Sequence, residues 1–201
     1  GLGCSARSVL GSQVPIVTDD RHQSADILHI ETQLVNKLLQ DSIVPVITGF
    51  QGVTADGAIT TLGRGGSDTT AVALAGALGA DRCQIFTDVD GVYTADPNVV
   101  PKARLIESIS FSEMQELSRL GAGVLHPRAV KSACRHLVPV EVLSSFTDNA
   151  GTYVTNQVED MSLPHVSGIA LDHDQVRMTL RFSAADAHVV EQLRQRIESS
   201  A

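Results

Sequence analysis

A short glycine-rich stretch in the middle of the chain combines residue types that bind anions. Its chemistry-bearing residues are, in order, Gly63, Arg64, Gly65, Gly66, Ser67 and Asp68. The glycines permit positive φ angles and close approach of the backbone, and Ser67 is expected to cap a helix over residues 68–78. The backbone N–H groups and the dipole at the start of such a helix attract negative charge. The stretch therefore predicts an anion site.

Two charged side chains add chemistry to this turn. The planar guanidinium of Arg64 matches the geometry of a carboxylate or a phosphate. The carboxylate of Asp68, in the first helical turn, would either hold Mg²⁺ or orient a transferring phosphoryl group. Taken alone, the motif is equally consistent with a plain strand-to-helix connection carrying a solvated arginine, because short glycine motifs also occur by chance.

A second polar stretch follows an apolar strand predicted over residues 83–87. Its sequence is Thr87-Asp88-Val89-Asp90-Gly91-Val92-Tyr93-Thr94-Ala95-Asp96-Pro97. As a nucleotide pocket, it would place Thr87 and Tyr93 near the base and ribose, and its aspartates near a metal ion or hydroxyl groups. A turn-rich surface loop is the alternative, since Asp, Gly and Pro are common turn residues.

Strands and helices alternate along residues 14–154, which predicts an α/β fold. We expect a three-layer α/β/α sandwich with a mainly parallel sheet. The apolar run over residues 44–48 is expected to be buried on both faces of that sheet. Strands are predicted over residues 14–18, 25–30, 44–48, 53–54, 58–61, 83–87, 138–144 and 151–154, and helices over residues 32–40, 68–78, 112–120 and 127–135.

The carboxyl-terminal part is expected to differ from the rest. Residues 156–165 are polar and acidic and predict a linker. Beyond it, strands over residues 168–172 and 176–182 and a helix over residues 184–199 form a ββα piece that is too small to be stable alone. The expected domains are therefore residues 1–155, a linker over 156–165 and an appended segment over 166–201.

Composition excludes several classes of function. A formal net charge of −8 and an aromatic fraction of 3% argue against nucleic-acid binding. No apolar run approaches the roughly 20 residues of a membrane span. The distant Cys4, Cys83 and Cys134 predict reduced, buried thiols and a cytoplasmic protein. No histidine spacing indicates a metal site, and His126, before Pro127, is expected to be a structural corner and not a general base.

Four stretches, taken together, resemble the aspartokinases of the amino-acid kinase family. They are Gly49-Phe50-Gln51-Gly52, the glycine turn within residues 60–73, the polar loop over residues 87–97, and residues 121–130 with Val124-Leu125-His126-Pro127. The resemblance implies ATP-dependent phosphorylation of the side-chain carboxylate of L-aspartate to 4-phospho-L-aspartate. This reaction opens lysine, threonine and methionine biosynthesis.

The resemblance also implies roles for particular residues. Asp68 corresponds to the catalytic aspartate of the family, which organises the site around the transferring phosphoryl group. The residues implied for L-aspartate are Phe50, Arg64, Gly65, Gly66 and Ser67. The residues implied for ATP, which brings Mg²⁺ with it, are Ser67, Thr87, Asp88, Tyr93, Thr94, Asp96, Asn98 and Gly123.

The sequence departs from the family pattern in ways that predict feeble activity. A Lys-Phe-Gly-Gly strand whose lysine neutralises phosphate charge, and a later glutamate that binds the substrate amine, are not in this sequence. Asn98 stands where arginine is frequent, and Gly123 where lysine usually precedes Val-Leu-His-Pro. Losing one transition-state donor costs about 10²–10³ in rate. Residues 166–201 resemble parts of the family's ACT domains, without a complete effector site.

Two alternatives stay open at this point. The chain could be another amino-acid kinase, such as glutamate 5-kinase or uridylate kinase, although the Arg-Gly-Gly-Ser-Asp turn and the ACT-like tail argue against that. It could instead be a non-catalytic chain that binds nucleotide. Bare strand edges predict association with another chain, as a homo-oligomer or with a fuller subunit.

Overall fold

The computed structural model describes residues 3–156, residues 168–171 and Gln192. The chain divides into two units, residues 1–171 and residues 172–201, and every described residue except Gln192 belongs to the first. The strand predicted over 176–182, the helix predicted over 184–199 apart from Gln192, which is helical, and nearly all of the predicted linker lie outside the described residues. Residues 168–171 are not in a regular strand, contrary to the prediction.

Ten strands and four helices occur within residues 3–156, and the α/β class is confirmed. Each helix begins and ends within two residues of its predicted bounds. The strands are β1 (Ala6–Val9), β2 (Ile16–Thr18), β3 (Ile27–Ile30), β4 (Val44–Ile47), β5 (Gln51–Val53), β6 (Ile59–Thr61), β7 (Cys83–Thr87), β8 (Ser108–Ser110), β9 (Val140–Ser144) and β10 (Thr152–Thr155). The helices are α1 (Gln33–Gln40), α2 (Gly66–Leu78), α3 (Phe111–Arg119) and α4 (Pro127–His136).

Hydrogen bonds group the described strands into three sheets, where the sequence predicted one. Strands β1 and β4 form a parallel pair, and the other sheets have the orders β7-β9-β10-β8 and β3-β2-β5-β6. The β7–β9 and β8–β10 pairs are parallel, whereas β9 and β10 are antiparallel. The antiparallel β5–β6 pair forms a β-hairpin across Asp56-Gly57. Apolar spacing marks where strands lie, but their pairing depends on contacts between distant segments.

The exposure of β4 contradicts its predicted burial on both faces. Val44 and Val46 are 51% and 56% exposed. Ile47 instead packs against the smaller of two apolar clusters, which surrounds Val35 of α1. One face of β4 is thus covered and the other is open. Strands β1 and β8 were not predicted, because each has few apolar residues to mark it.

The larger apolar cluster holds the elements that carry the candidate site. It contains Val72 of α2, Ile85 of β7, Met114 of α3, Ala133 of α4 and Val142 of β9. These side chains are between 0% and 8% exposed. The carboxyl end of β7, where the polar loop begins, is therefore fixed against three helices.

Side-chain caps set the starts of α3 and α4. The Ser110 hydroxyl accepts a hydrogen bond from the Glu113 N–H at 3.2 Å, and the Glu113 carboxylate accepts one from the Ser110 N–H at 3.1 Å. This capping box starts α3 at Phe111, one residue before the predicted Ser112. His126 caps α4, in agreement with its predicted role as a corner.

The cysteines and helices bear on two further expectations. All three cysteines are free thiols, and Cys83 is buried as predicted. Cys4 and Cys134 are exposed, so the prediction that they are buried is wrong. No helix in the described part of the chain has the length and hydropathy needed to cross a membrane.

Candidate functional site

The glycine turn forms the start of α2 and contains two left-handed residues. Gly63 and Gly65 have φ angles of 75° and 66°, and Gly65 is the N-cap of the helix. The Gly66 N–H donates to the Gly63 carbonyl oxygen at 3.0 Å, and the Thr69 N–H donates to that of Gly65 at 2.9 Å. The prediction that Ser67 caps α2 is wrong. The left-handed glycine already turns the chain, so Ser67 falls inside the first helical turn.

His126 packs against this turn and joins it to α4. A β-carbon on Gly65 would lie 2.1 Å from the His126 β-carbon, so the contact requires glycine. The Nδ1 atom of His126 accepts a hydrogen bond from the Arg128 N–H at 3.3 Å. Burial, and then the charges of Arg128 and Arg64, lower the pKa of the imidazole, while Asp68 opposes them. His126 is therefore a neutral structural group at neutral pH.

Phe50 approaches the turn from the loop after β4. Its φ angle of 72° is strained for a bulky residue. Its N–H donates to Thr70 Oγ1 at 3.1 Å, and its carbonyl oxygen accepts from the Leu62 N–H at 3.0 Å. A β-carbon on Gly66 would lie 2.8 Å from an atom of its ring. These contacts fix Phe50, which is 42% exposed, beside the first turn of α2.

The turn presents several unpaired polar groups. Arg64 and Ser67 are exposed, and Arg64 forms no ion pair within residues 3–156 and 168–171. The backbone N–H groups of Ser67 and Asp68 have no acceptor in that same part of the chain. The Gly66 N–H already donates to the Gly63 carbonyl oxygen inside the turn. The amides of Ser67 and Asp68 are therefore the donors that the start of α2 offers to an anion.

Asp68 is a half-buried carboxylate whose charge is poorly compensated. Burial raises its pKa, and the nearby His126 opposes this effect. Burial, together with the Asp68 charge, also raises the pKa of the Cys83 thiol to about 11. A carboxylate kept in such surroundings destabilises the fold, and perturbed groups of this kind concentrate at functional sites.

We expect Asp68→Asn to raise the melting temperature at neutral pH. Because the pKa of Asp68 is raised in the folded state, folding favours the protonated acid and the charge costs stability above that pKa. The gain should shrink as the pH falls through the folded pKa towards the ordinary aspartate value. Thermal unfolding at neutral and acidic pH measures it, with the exposed Asp81→Asn as control. A melting temperature that is unchanged or lower at neutral pH would contradict this assignment.

The polar loop after β7 lines a cavity of about 310 Å³. The polar groups that line it belong to Thr87, Asp88, Tyr93, Asp96 and Asn98, all of which were predicted to contact nucleotide. Its apolar lining includes Leu117, Val124, Ile169 and Leu171, none of which was predicted to contact a ligand.

The other three residues predicted to contact nucleotide, Gly123, Thr94 and Ser67, do not all lie at the cavity. Gly123 lines the cavity. Thr94 does not line it, and its hydroxyl accepts a hydrogen bond from the Arg104 N–H at 3.0 Å. Ser67 belongs to the turn, where a β-carbon on Gly49 would lie 3.5 Å from the Ser67 α-carbon. The predicted nucleotide contacts are thus divided between the cavity and the turn.

One short segment connects the turn and the cavity. Gly123 and Val124 line the cavity, and His126 packs against Gly65. Gly123 and His126 are three residues apart, which corresponds to at most about 11 Å of extended chain. The anion turn and the cavity are therefore neighbours.

Thr152 anchors the polar loop to β10. Its hydroxyl accepts a hydrogen bond from the Val92 N–H at 2.8 Å and donates one to the Ile106 carbonyl oxygen at 2.6 Å. A β-carbon on Gly91 would lie 2.7 Å from this hydroxyl. One buried side chain thus joins the polar loop, which lines the cavity, to the segment before β8.

Substituting Thr152 by valine should destabilise the protein by about 2–3 kcal/mol, because valine keeps the shape but leaves the buried Val92 N–H and the half-buried Ile106 carbonyl oxygen unpaired. Urea unfolding measures the change. The control is Thr155→Val in the same strand, since the Thr155 side chain has no hydrogen bond within the described residues. Equal losses for the two variants would show that the Thr152 hydroxyl has no such role.

Arg128 supports the turn, although it was not among the predicted site residues. Its guanidinium donates to the carbonyl oxygens of Leu62 and Ala25 and pairs with Asp26 Oδ1 at 2.8 Å. The two carbonyls lie 66 and 103 residues away in sequence. No local pattern could have revealed these partners, because only the fold brings them together.

Comparison with known proteins shows the family of the chain. The sequence profile of the amino acid kinase family matches residues 1–144. The chain belongs to the amino acid kinase family. An aspartate kinase from Pseudomonas putida is 52% identical over 180 residues, which cover 89% of this chain and 44% of that relative. An aspartokinase from Geobacillus stearothermophilus is 49% identical, with coverage of 89% and 44%. The chain thus spans less than half the length of these relatives.

A solved structure agrees with these sequence relatives. Escherichia coli aspartokinase III in complex with aspartate and ADP matches with a TM-score of 0.71 and 41% sequence identity. The match covers 78% of this chain and 36% of that chain. The resemblance to aspartokinases that was stated from four short stretches is therefore confirmed over most of this chain.

Proposed function

We propose that this chain carries part of an aspartate kinase site, which transfers the terminal phosphoryl group of ATP to the side-chain carboxylate of L-aspartate. The product would be 4-phospho-L-aspartate, the first intermediate towards lysine, threonine and methionine. The observation that carries the proposal is the short connection between the anion turn and the cavity along residues 123–126. A carboxylate bound at the anion turn and a nucleotide bound in the cavity would lie next to each other. The named relatives and the aspartate and ADP of the similar structure support this pairing.

The turn is suited to bind the amino-acid substrate. Arg64 is an exposed guanidinium without an ion-pair partner in the described residues, and it can bind a carboxylate through two parallel hydrogen bonds. The N–H groups of Ser67 and Asp68 and the Ser67 hydroxyl add donors. Phe50 would close one side of the site with its ring. Such donors hold the acceptor oxygen in place for attack, which is most of what phosphoryl transfer requires.

Asp68 is proposed as the residue that organises the reacting groups. Its carboxylate lies in the first turn of α2, next to the donors that would hold the substrate. Its raised pKa reflects an environment that the fold maintains at a cost in stability. Asp68 would orient the groups around the transferring phosphoryl, and no step of the transfer needs a covalent bond to the protein.

The cavity is proposed to bind Mg·ATP as a substrate. The hydroxyls of Thr87 and Tyr93 and the carboxylates of Asp88 and Asp96 can bind the ribose and the hydrated metal ion of the nucleotide. Mg²⁺ retains water and phosphate ligands and needs only one or two protein carboxylates. Asn98 contributes an amide but no positive charge. We therefore expect slow transfer, since each missing cationic donor costs about 10²–10³ in rate.

Association with another chain completes the proposal. The open face of β4, with Val44 and Val46 about half exposed, is apolar surface that another subunit could cover.

Residues 166–201 are proposed to belong to an ACT-like regulatory segment.

Trapping the product with hydroxylamine tests the proposed reaction, because an acyl phosphate is converted to a hydroxamate. The chain is incubated with Mg·ATP and, in separate samples, with L-aspartate or L-glutamate, and a third sample with uridylate is assayed for ADP release because UDP forms no hydroxamate. We expect slow hydroxamate formation with L-aspartate alone, and none above background for Asp68→Asn. Hydroxamate from L-glutamate would favour another amino-acid kinase. Nucleotide binding without product from any acceptor would favour the non-catalytic alternative.

A further inference from the structure

Residues 168–171 lie against the polar loop, and residues 169–171 contribute to the cavity wall. The Ile169 N–H donates to the Thr94 carbonyl oxygen at 2.8 Å. A β-carbon on Gly168 would lie 3.4 Å from both terminal methyl groups of Leu117. A backbone hydrogen bond and a packing contact therefore seat this segment beside the cavity.

The side chains of the segment pack against the core and line the cavity. Ala170 packs against the larger apolar cluster. Ile169 and Leu171 line the cavity and remain 68% and 55% exposed. The family profile ends at residue 144, so these residues fall outside its match. Two large apolar side chains beside a cavity have surface that a flat, weakly polar ligand group would cover.

We propose that Ile169 and Leu171 form an apolar wall that contacts the base of a bound nucleotide, so that nucleotide affinity depends on the seating of residues 168–171. This inference rests on the proposed nucleotide site. The ribose hydroxyls and the hydrated Mg²⁺ that the phosphates carry need polar partners, which the loop supplies through Asp88 and Asp96. The base is the part of the nucleotide that gains from apolar contact, and the wall formed by Ile169 and Leu171 offers it.

Thr94 provides the link between the segment and the loop. Its N–H donates to the Arg104 carbonyl oxygen at 2.8 Å, and its own carbonyl oxygen accepts from Ile169. Thr94 is thereby hydrogen-bonded both to Arg104 and to Ile169. A base that covers Ile169 stabilises the seated segment, and by reciprocity the seated segment strengthens base binding.

Hydrogen exchange of the Ile169 amide in the full chain tests this coupling directly. The amide is protected by its bond to Thr94, and exchange requires the segment to detach. ADP should slow this exchange, by up to about tenfold at ten times its Kd. Inorganic triphosphate, which has no base, should slow it less at equal saturation.

A matched pair of substitutions tests the wall. Ile169 and Ile59 are both 68% exposed, and Ile59 on β6 does not line the cavity. Ile169→Ser should weaken ADP binding roughly tenfold, the size expected for losing the apolar contact of one side chain. Ile59→Ser should leave ADP binding unchanged, and calorimetric titration measures both.

The outcomes separate this inference from the function it rests on. If the unsubstituted chain binds no ADP, the proposed nucleotide site itself fails. If it binds ADP and the two serine variants bind equally well, the wall alone is wrong. Should Ile169→Ser not fold, the unsubstituted chain still decides, because Ile169 exchange that saturating ADP leaves unchanged would overturn the proposal.

Discussion

Gly65→Ala is expected to destabilise the protein by about 2–5 kcal/mol, the largest effect that we expect from a single methyl group. Two costs add. Gly65 has a φ angle of 66°, which an L-residue with a β-carbon adopts only with strain. The new methyl group would also lie 2.1 Å from the His126 β-carbon, so the turn and the start of α4 must move apart. Urea unfolding measures the loss, and substrate binding should be lost with it.

Gly79→Ala is the matched control for the backbone cost. Gly79 caps the other end of the same helix with a φ angle of 63°, and a β-carbon there would meet no atom within 4 Å. Gly79→Ala should therefore lose only about 1–2 kcal/mol of stability, the cost of placing a residue with a β-carbon in the left-handed conformation. The excess loss for Gly65→Ala reports the contact with His126. Equal losses for the two variants would mean that this contact does not hold the turn.

Arg64→Ala should weaken the binding of L-aspartate by about 10- to 150-fold, since hydrogen bonds to a charged group contribute about 1.5–3 kcal/mol. Arg64 is exposed and has no ion-pair partner in the described residues, so its removal leaves no buried group unpaired. The free energy of unfolding should therefore hardly change. Calorimetric titration of L-aspartate in the presence of Mg·ADP measures the affinity.

Two further variants sharpen this test. Arg64→Lys keeps the charge but loses the planar fork, and it should recover only part of the affinity. Arg119→Ala removes an exposed arginine that pairs with Glu116 on α3, so it controls for the change in net charge. If Arg64→Ala and Arg119→Ala bind L-aspartate equally well, Arg64 does not bind the substrate.

Local chemistry made the turn and the loop predictable. Glycines and polar residues at the end of an apolar strand indicate a binding site, and five of the polar residues named in advance do line the cavity. The helices followed from apolar spacing, because each must bury one face. The cap of α2 was misjudged because serine is a common N-cap, whereas here Gly65 turns the chain by itself.

Other features depend on long-range contacts that a single sequence does not show. Arg128 binds carbonyl groups from two distant segments, and Ile169 reaches the cavity from beyond the matched kinase residues. The open face of β4 was missed for a similar reason. A continuous apolar run has the same pattern whether one or both faces are covered.

Calorimetric titration of the full chain with Mg·ADP and then with L-aspartate tests the central claim that the turn and the cavity are preformed, adjacent binding sites. The account predicts saturable binding of both ligands, with L-aspartate affinity dependent on Arg64 and ADP affinity dependent on Ile169. Cooperative urea unfolding of the same sample establishes that it is folded. If the folded chain binds neither ligand at millimolar concentration, the account is contradicted.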